Sequence, residues 1–182
     1  MDVMIDLETA SVAPDAAILS IGAVRFDRRE SPPKRLEDID KHYVFYIRVD
    51  LNSCKELGMH VDDKTMAWWA EQPVEARYEV LENKERVNIK EALLRFKEWF
   101  IPHARPWGNG SSFDITILEN AFNKVGIEFP WKFWNVRDLR TLYDIAKLKK
   151  RDIPEPVVAH HALHDCFHEI IGFYMAKKRI GF

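Results

Sequence analysis

The first apolar stretch, Val3 to Leu7, predicts a strand, and a Pro/Asp turn separates it from a second strand, Ile18 to Asp27, apolar on both faces. The charged, proline-bearing run from Arg28 to Asp40 reads as a loop. A third strand is expected over Tyr43 to Val49, where Tyr43, Phe45, Ile47 and Val49 alternate with more varied neighbours. The spacing then turns helical. Asp63 is placed as the cap of a segment through Trp69 and Glu71, Pro73 interrupts it, and Val74 to Leu81 continues. Asn88 with Glu91 resembles a capping box that opens an amphipathic helix to Phe100, with Leu93, Leu94, Phe96 and Phe100 at helical spacing. Short strands at Arg105 to Gly108 and around Phe133 to Val136 alternate with helices at Asp114 to Val125 and Asp138 to Lys147. A last helix is expected from about His161 to Lys178.

An antiparallel meander followed by alternating strand and helix describes an α/β architecture, a mixed central sheet flanked by helices. At 182 residues, 47% of them hydrophobic, one domain over 1–182 is the simplest organisation. Cys54 and Cys166 sit in unrelated contexts and form no CxxC pair, which argues against a disulfide framework and for a reducing, cytoplasmic setting. Acids at Asp2, Asp6 and Glu8 are incompatible with a secretory leader, and no apolar run approaches membrane-spanning length, so no membrane partner is expected. A formal net charge of −2 argues against a protein that coats long duplexes by charge alone, while leaving room for one that grips a strand end. The basic runs Lys147 to Arg151 and Lys177 to Arg179 read as solvated helix ends.

Four acids and a histidine stand out against this frame. Asp6 and Glu8, two apart on a strand, project from one face about 7 Å apart at the backbone, while Leu7 points to the core. They either face water at a sheet edge or hold a cation, because a carboxylate on a buried face must be paired or must bind metal. Asp114 follows the Gly-Asn-Gly-Ser-Ser loop and is either an ordinary N-cap or a ligand projecting from a helix start. Asp165 lies five residues after His160, which lets both face one pocket if His160 precedes the helix. His160, His164 and His168 also keep an i,i+4 ladder that admits a zinc site, although no HExxH motif is present. His161 reads as a surface or packing residue. Trp68 and Trp69, adjacent on a helix, are not expected to face one site together.

Taken in order, Asp6-Leu7-Glu8, the stretch Asn109 to Asp114 and His160-x-Ala162-x-x-Asp165 resemble the DnaQ-like superfamily of 3′-to-5′ exonucleases in its DEDDh subgroup. The segments WWAEQPVEAR, GNGSSFDITIL, PWKFWNVRDLRTL and VAHHALHDC look like the phage DexA-type exonucleases and the mycobacterial-type exoribonucleases. The resemblance implies a ribonuclease-H-like fold and an enzyme that releases nucleoside 5′-monophosphates from single-stranded DNA or RNA with a free 3′ end. It implies that Asp6, Glu8, Asp114 and Asp165 bind two Mg²⁺ or Mn²⁺ ions and that His160 is the general base. Leu7, Thr9, Asn109 and Phe113 become candidate substrate contacts, and a homodimer is admitted, with the aromatic PWKFW segment as a contributor. Two rivals stand beside this reading. One is an endonuclease on the same fold, and the other a non-catalytic nucleic-acid-binding or zinc-binding module.

Overall fold

The computed structural model describes residues 1–155, 158 and 160–181. Strand β1, Asp2–Thr9, pairs antiparallel with β2, Ile18–Phe26, which pairs antiparallel with β3, Val44–Arg48. Helices α1 (Leu51–Glu56), α2 (Asp63–Ala70) and α3 (Val74–Arg77) follow, the last running into a wider π-type turn, Tyr78–Glu82. Helix α4, Ile89–Trp99, leads to β4, Arg105–Gly108, which lies parallel to β1 on its free edge. Helix α5 (Asp114–Lys124), the two-residue strand β5 (Arg137–Asp138), α6 (Leu139–Ile145) and α7 (Ala162–Ile180) complete the chain. The sheet order is β3-β2-β1-β4-β5, a meander on one side and parallel strands on the other.

The two faces of β1 explain why helices cover both sides. Val3, Ile5 and Leu7 point into a core shared with Leu93 and Phe96 of α4 and Ile117, Leu118 and Phe122 of α5. Met4, on the opposite face, packs with Val24, Trp107 and α7 residues Cys166, Ile170 and Phe173. Burying both faces is what a sheet continued by parallel strands requires. Among the described residues no helix is long and apolar enough to cross a membrane.

Several sequence expectations move. The segment expected as a strand around Phe133 to Val136 is a single 3-10 turn, Phe133–Asn135, with Phe133 and Trp134 exposed, and the strand falls on Arg137–Asp138. Asp62, not Asp63, caps α2 by accepting from the Thr65 amide at 3.0 Å. Asn88 caps α4 alone, because Glu91 pairs with Arg95 one turn on rather than reaching back. Helix α1 was not anticipated; Asp50 caps it by accepting from the Asn52 and Ser53 amides.

Gly22 fixes the approach of α7. It pairs with Asp6 across the β1–β2 ladder, and a Cβ there would lie 2.4 Å from the Ala162 carbonyl carbon. The helix start therefore rests directly on the sheet beside Asp6. Ala162, fully buried, is the small residue that this contact demands.

Candidate active site

Asp6 and Glu8 occupy the α7 face of β1, so the strand aims them at the first two turns of that helix. One carboxylate oxygen from each of Asp6, Glu8 and Asp165 falls within 4.8 Å of the others. Burial is the largest cause holding Asp6 and Glu8 well above the usual carboxylate range, and the neighbouring acids push the same way. Among the described residues neither group forms a salt bridge. An all-oxygen, negatively charged set of this kind suits hard divalent cations, so the residues fit the metal centre that the family pattern implies.

Asp114 stands outside that triangle but beside it. It is the first residue of α5 and 4% exposed, and its Oδ1 accepts the Leu7 amide at 3.2 Å, which ties the loop after β4 to the strand that carries Asp6 and Glu8. Its role is thus neither a simple N-cap nor a surface group. Gly108 makes room for it, since a Cβ there would come within 3.3 Å of Asp114 Oδ2. Burial raises its pKa to about 7 against the lowering effect of the Leu7 amide. Asp165 is raised to about 6 by burial, opposed by the backbone amides of His161 and His160. The His161 amide donates to Asp165 Oδ2 at 3.2 Å, so the carboxylate closes the first turn of its own helix.

His160 precedes α7 in the left-handed region, φ 59°, an unusual conformation for a residue with a side chain. Its ring meets both indoles of α2 edge-on, Trp68 at 4.9 Å and Trp69 at 6.1 Å between centroids. The expectation that these tryptophans could not share a site is corrected: they pack edge-to-face on each other and both reach His160. Trp69 is buried and donates its Nε1–H to the Thr9 carbonyl at 2.9 Å, while Trp68 is half exposed. Burial, with the Lys150 charge, lowers the His160 pKa, which favours the neutral imidazole. His161 turns away and stacks on Tyr46 at 4.5 Å, and Tyr46 donates to Glu79 at 2.5 Å. Among the described residues no histidine group has metal-binding geometry.

The candidate substrate residues divide between two cavities. Leu7, Thr9 and Phe113 line one of about 440 Å³ together with Glu8, Lys64 and Trp68. The Thr9 hydroxyl is engaged, donating to the Ser11 carbonyl at 2.7 Å. Asn109 lines a second cavity, of about 670 Å³, with Asp6, His160, Asp165 and Arg140. Glu8 lines the first, more apolar cavity and Asp6 and Asp165 line the second, so the three converging acids lie where the two cavities come together.

Glu169 was missed from sequence. It follows Asp165 by one turn of α7, is 4% exposed, and its Oε2 has no hydrogen-bond partner among the described residues. Burial raises its pKa well above the usual range, and its charge is the largest electrostatic cause of the rise at Asp6. The Asn109 side chain opposes the rise at Glu169. The available signal was an acid at i+4 from Asp165 beside the apolar pair Cys166 and Ile170.

A mixed sheet of this order, with its acids gathered where β1 meets the start of the last helix, defines the class as a DnaQ-like exonuclease of ribonuclease-H-like fold. The family model of the 3′-5′ exoribonuclease Rv2179c-like domain matches residues 1–173. The chain belongs to that family and is a 3′-5′ exonuclease acting on nucleic acid. It is 29% identical over 207 aligned positions to the exodeoxyribonuclease of Enterobacteria phage T4, covering 97% of this chain and 89% of the phage protein. The fold is shared with three solved structures. Exonuclease X in complex with 5′ overhanging duplex DNA has TM-score 0.59 and 16% identity, with 100% of this chain and 94% of that one covered. Escherichia coli Exonuclease I in complex with a dA16 oligonucleotide has TM-score 0.63 and 16% identity, covering 98% of this chain and 41% of that one. The RNase domain of yeast Pop2 has TM-score 0.62 and 11% identity, covering 97% and 76%.

Proposed function

We propose that the protein removes nucleoside 5′-monophosphates stepwise from the 3′ end of single-stranded nucleic acid, with Asp6, Glu8, Asp114 and Asp165 holding two Mg²⁺ or Mn²⁺ ions and His160 as general base. The observation that carries this reading is the convergence of Asp6, Glu8 and Asp165 within 4.8 Å beside His160, which shares a cavity with Asp6 and Asp165. Hard oxygen donors favour magnesium or manganese over zinc, which prefers nitrogen and sulfur. When bound, such ions lower the pKa of the attacking water and offset charge that grows on the departing oxygen.

The chain's own residues supply the rest. His160, unprotonated at neutral pH, takes the proton from water as its oxygen attacks the terminal phosphorus. The bond to the 3′ oxygen of the preceding nucleotide breaks in line, which leaves a free 3′ hydroxyl on the shortened strand and a 5′-monophosphate on the released nucleoside. The cavity between Leu7, Thr9, Phe113 and Trp68 accepts the terminal nucleoside, where Phe113 and Trp68 offer faces for a base. Asp114, tied to the Leu7 amide, keeps that wall in register with the carboxylates.

The test is product analysis on matched 5′-labelled DNA and RNA oligomers, since the relatives' names span both sugars. A ladder shortening from the 3′ end, dependent on Mg²⁺ or Mn²⁺ and stopped by a 3′-phosphate, is expected. Cutting of circular single strands would instead establish the endonuclease reading.

A further inference from the structure

On the far side of the acidic cluster the polar cavity carries two basic side chains, Arg140 from the first turn of α6 and Lys150 from the turn Lys150–Asp152. Both are exposed, and among the described residues neither forms a salt bridge. The Arg140 guanidinium lies over Gly110, where an added Cβ would come within 3.3 Å of it. Gly110, at φ 100°, has a backbone that few other residues adopt, so the loop after β4 keeps that ground clear.

We propose that Arg140 and Lys150 form a clamp for the phosphodiester immediately upstream of the one that is cut. The proposal deepens the exonuclease reading and rests on it. If the terminal nucleoside fills the apolar cavity beyond Glu8 and the scissile phosphate lies on the carboxylates, the strand leaves through the cavity that Asp6 and Asp165 share with Arg140 and Lys150. A planar guanidinium and an ammonium lining the same exit match a phosphate's paired oxygens.

Charge makes the same point. Five carboxylates gather here, Asp6, Glu8, Asp114, Asp165 and Glu169, and two divalent ions offset four of them. Either basic group alone offsets the fifth. The second positive charge then faces the exit, where an incoming phosphodiester would balance it. Arg140 lowers the pKa of Asp114 and Lys150 that of Asp165, which places both within electrostatic reach of the cluster.

The experiment uses the full chain with Mg²⁺ or Mn²⁺ and 5′-labelled oligomers, in which the linkage next to the 3′-terminal one is either a phosphodiester or an uncharged methylphosphonate. First-cleavage kcat/KM of the wild type is expected to fall about ten- to a hundredfold on the neutral linkage. R140Q and K150Q are expected to lose a comparable factor, chiefly through KM, on the natural oligomer and to lose little more on the neutral one. Their log KM should also respond less steeply to log salt, by about 0.7 per lost contact. Variants as sensitive to the neutral linkage as the wild type, or a loss confined to kcat with the salt response unchanged, would overturn the clamp. A merely structural Arg140 would produce that second pattern. K150Q, at a site outside the core, keeps the test open if R140Q folds poorly. If the wild type fails to cut the all-phosphodiester strand, the exonuclease reading itself has failed, and that outcome is recognised before any variant is compared.

Discussion

Asp2 and Asp6 lie on the same face of the same strand, four residues apart, and the fold treats them in opposite ways. Asp2 is fully buried and satisfied: Arg105 grips it with two bonds of 2.8 and 2.9 Å, Trp107 Nε1 donates at 2.8 Å, and Arg28 stands 3.4 Å away. Asp6 meets Glu8, Asp114, Asp165 and Glu169, and its pKa is raised by burial and then by each of those acids. One end of the face is a closed ion pair and the other an open demand for positive charge. Burial is therefore not what marks a functional carboxylate. The marker is burial without, among the described residues, a salt bridge to match it.

The sharpest way to break the comparison is to neutralise each acid in turn. Asp6→Asn is expected to abolish metal-dependent cleavage while leaving the metal-free protein at least as stable, because it removes charge from a repulsive cluster. Asp2→Asn should do the reverse, keeping kcat while costing about 2 kcal/mol of stability from weakened charge-assisted bonds. Cleavage assays with metal-free denaturant melts on both variants decide the matter. An inactive Asp2→Asn with unchanged stability would show that the two ends of the face are not separable.

His160 gives the next largest effect. Replacement by Asn retains a residue that tolerates φ 59° and removes the base, so kcat should fall by about 10² or more with metal binding little changed. A larger loss from His161→Ala than from His160→Asn would put the base at the wrong position, although His161 faces Tyr46 rather than the carboxylates.

Much of this site was legible because its determinants are local in sequence. Two acids two residues apart on a strand must share a face, and Ala162 between His160 and Asp165 is the mark of a helix start pressed onto the sheet at Gly22. What escaped was set by tertiary contact. Glu169 looks like any polar residue at i+4 until the sheet covers it. Phe133 and Trp134 carry the apolar character of a buried strand yet lie exposed, while the real strand is the polar pair Arg137–Asp138, recruited by pairing with Trp107 and Gly108. Helix α1 is only Leu51–Glu56, too short for a periodicity, and depends on the Asp50 cap.

Gly22→Ala probes the junction of the two regions. The added methyl group must push Ala162 and Leu163 off the sheet, so a destabilisation of about 1–3 kcal/mol is expected together with lower kcat, as His160 and Asp165 shift from Asp6. Equal stability and activity, measured by melts and cleavage assays, would mean that α7 is not held by that contact.

The smallest effect is a pH dependence confined to the unmatched end. Carboxyl groups whose folded pKa lies above the unfolded value bind more protons when folded, so stability falls as pH rises through that window. Asp114 at about 7 and Asp165 at about 6 lie within it, Asp6, Glu8 and Glu169 are raised as well, and the ordinary carboxyl value near 4 is its lower edge. The metal-free protein should melt at a higher temperature at pH 5 than at pH 8. Saturating Mg²⁺ or Mn²⁺ should raise the pH 8 melting temperature and do little at pH 5, where protons compete for the same oxygens. Glu169→Gln removes one member of the repelling set, so it should flatten the metal-free pH slope. A metal-free melting temperature that rises from pH 5 to pH 8 would mean that the unmatched acids do not govern the pH dependence of stability.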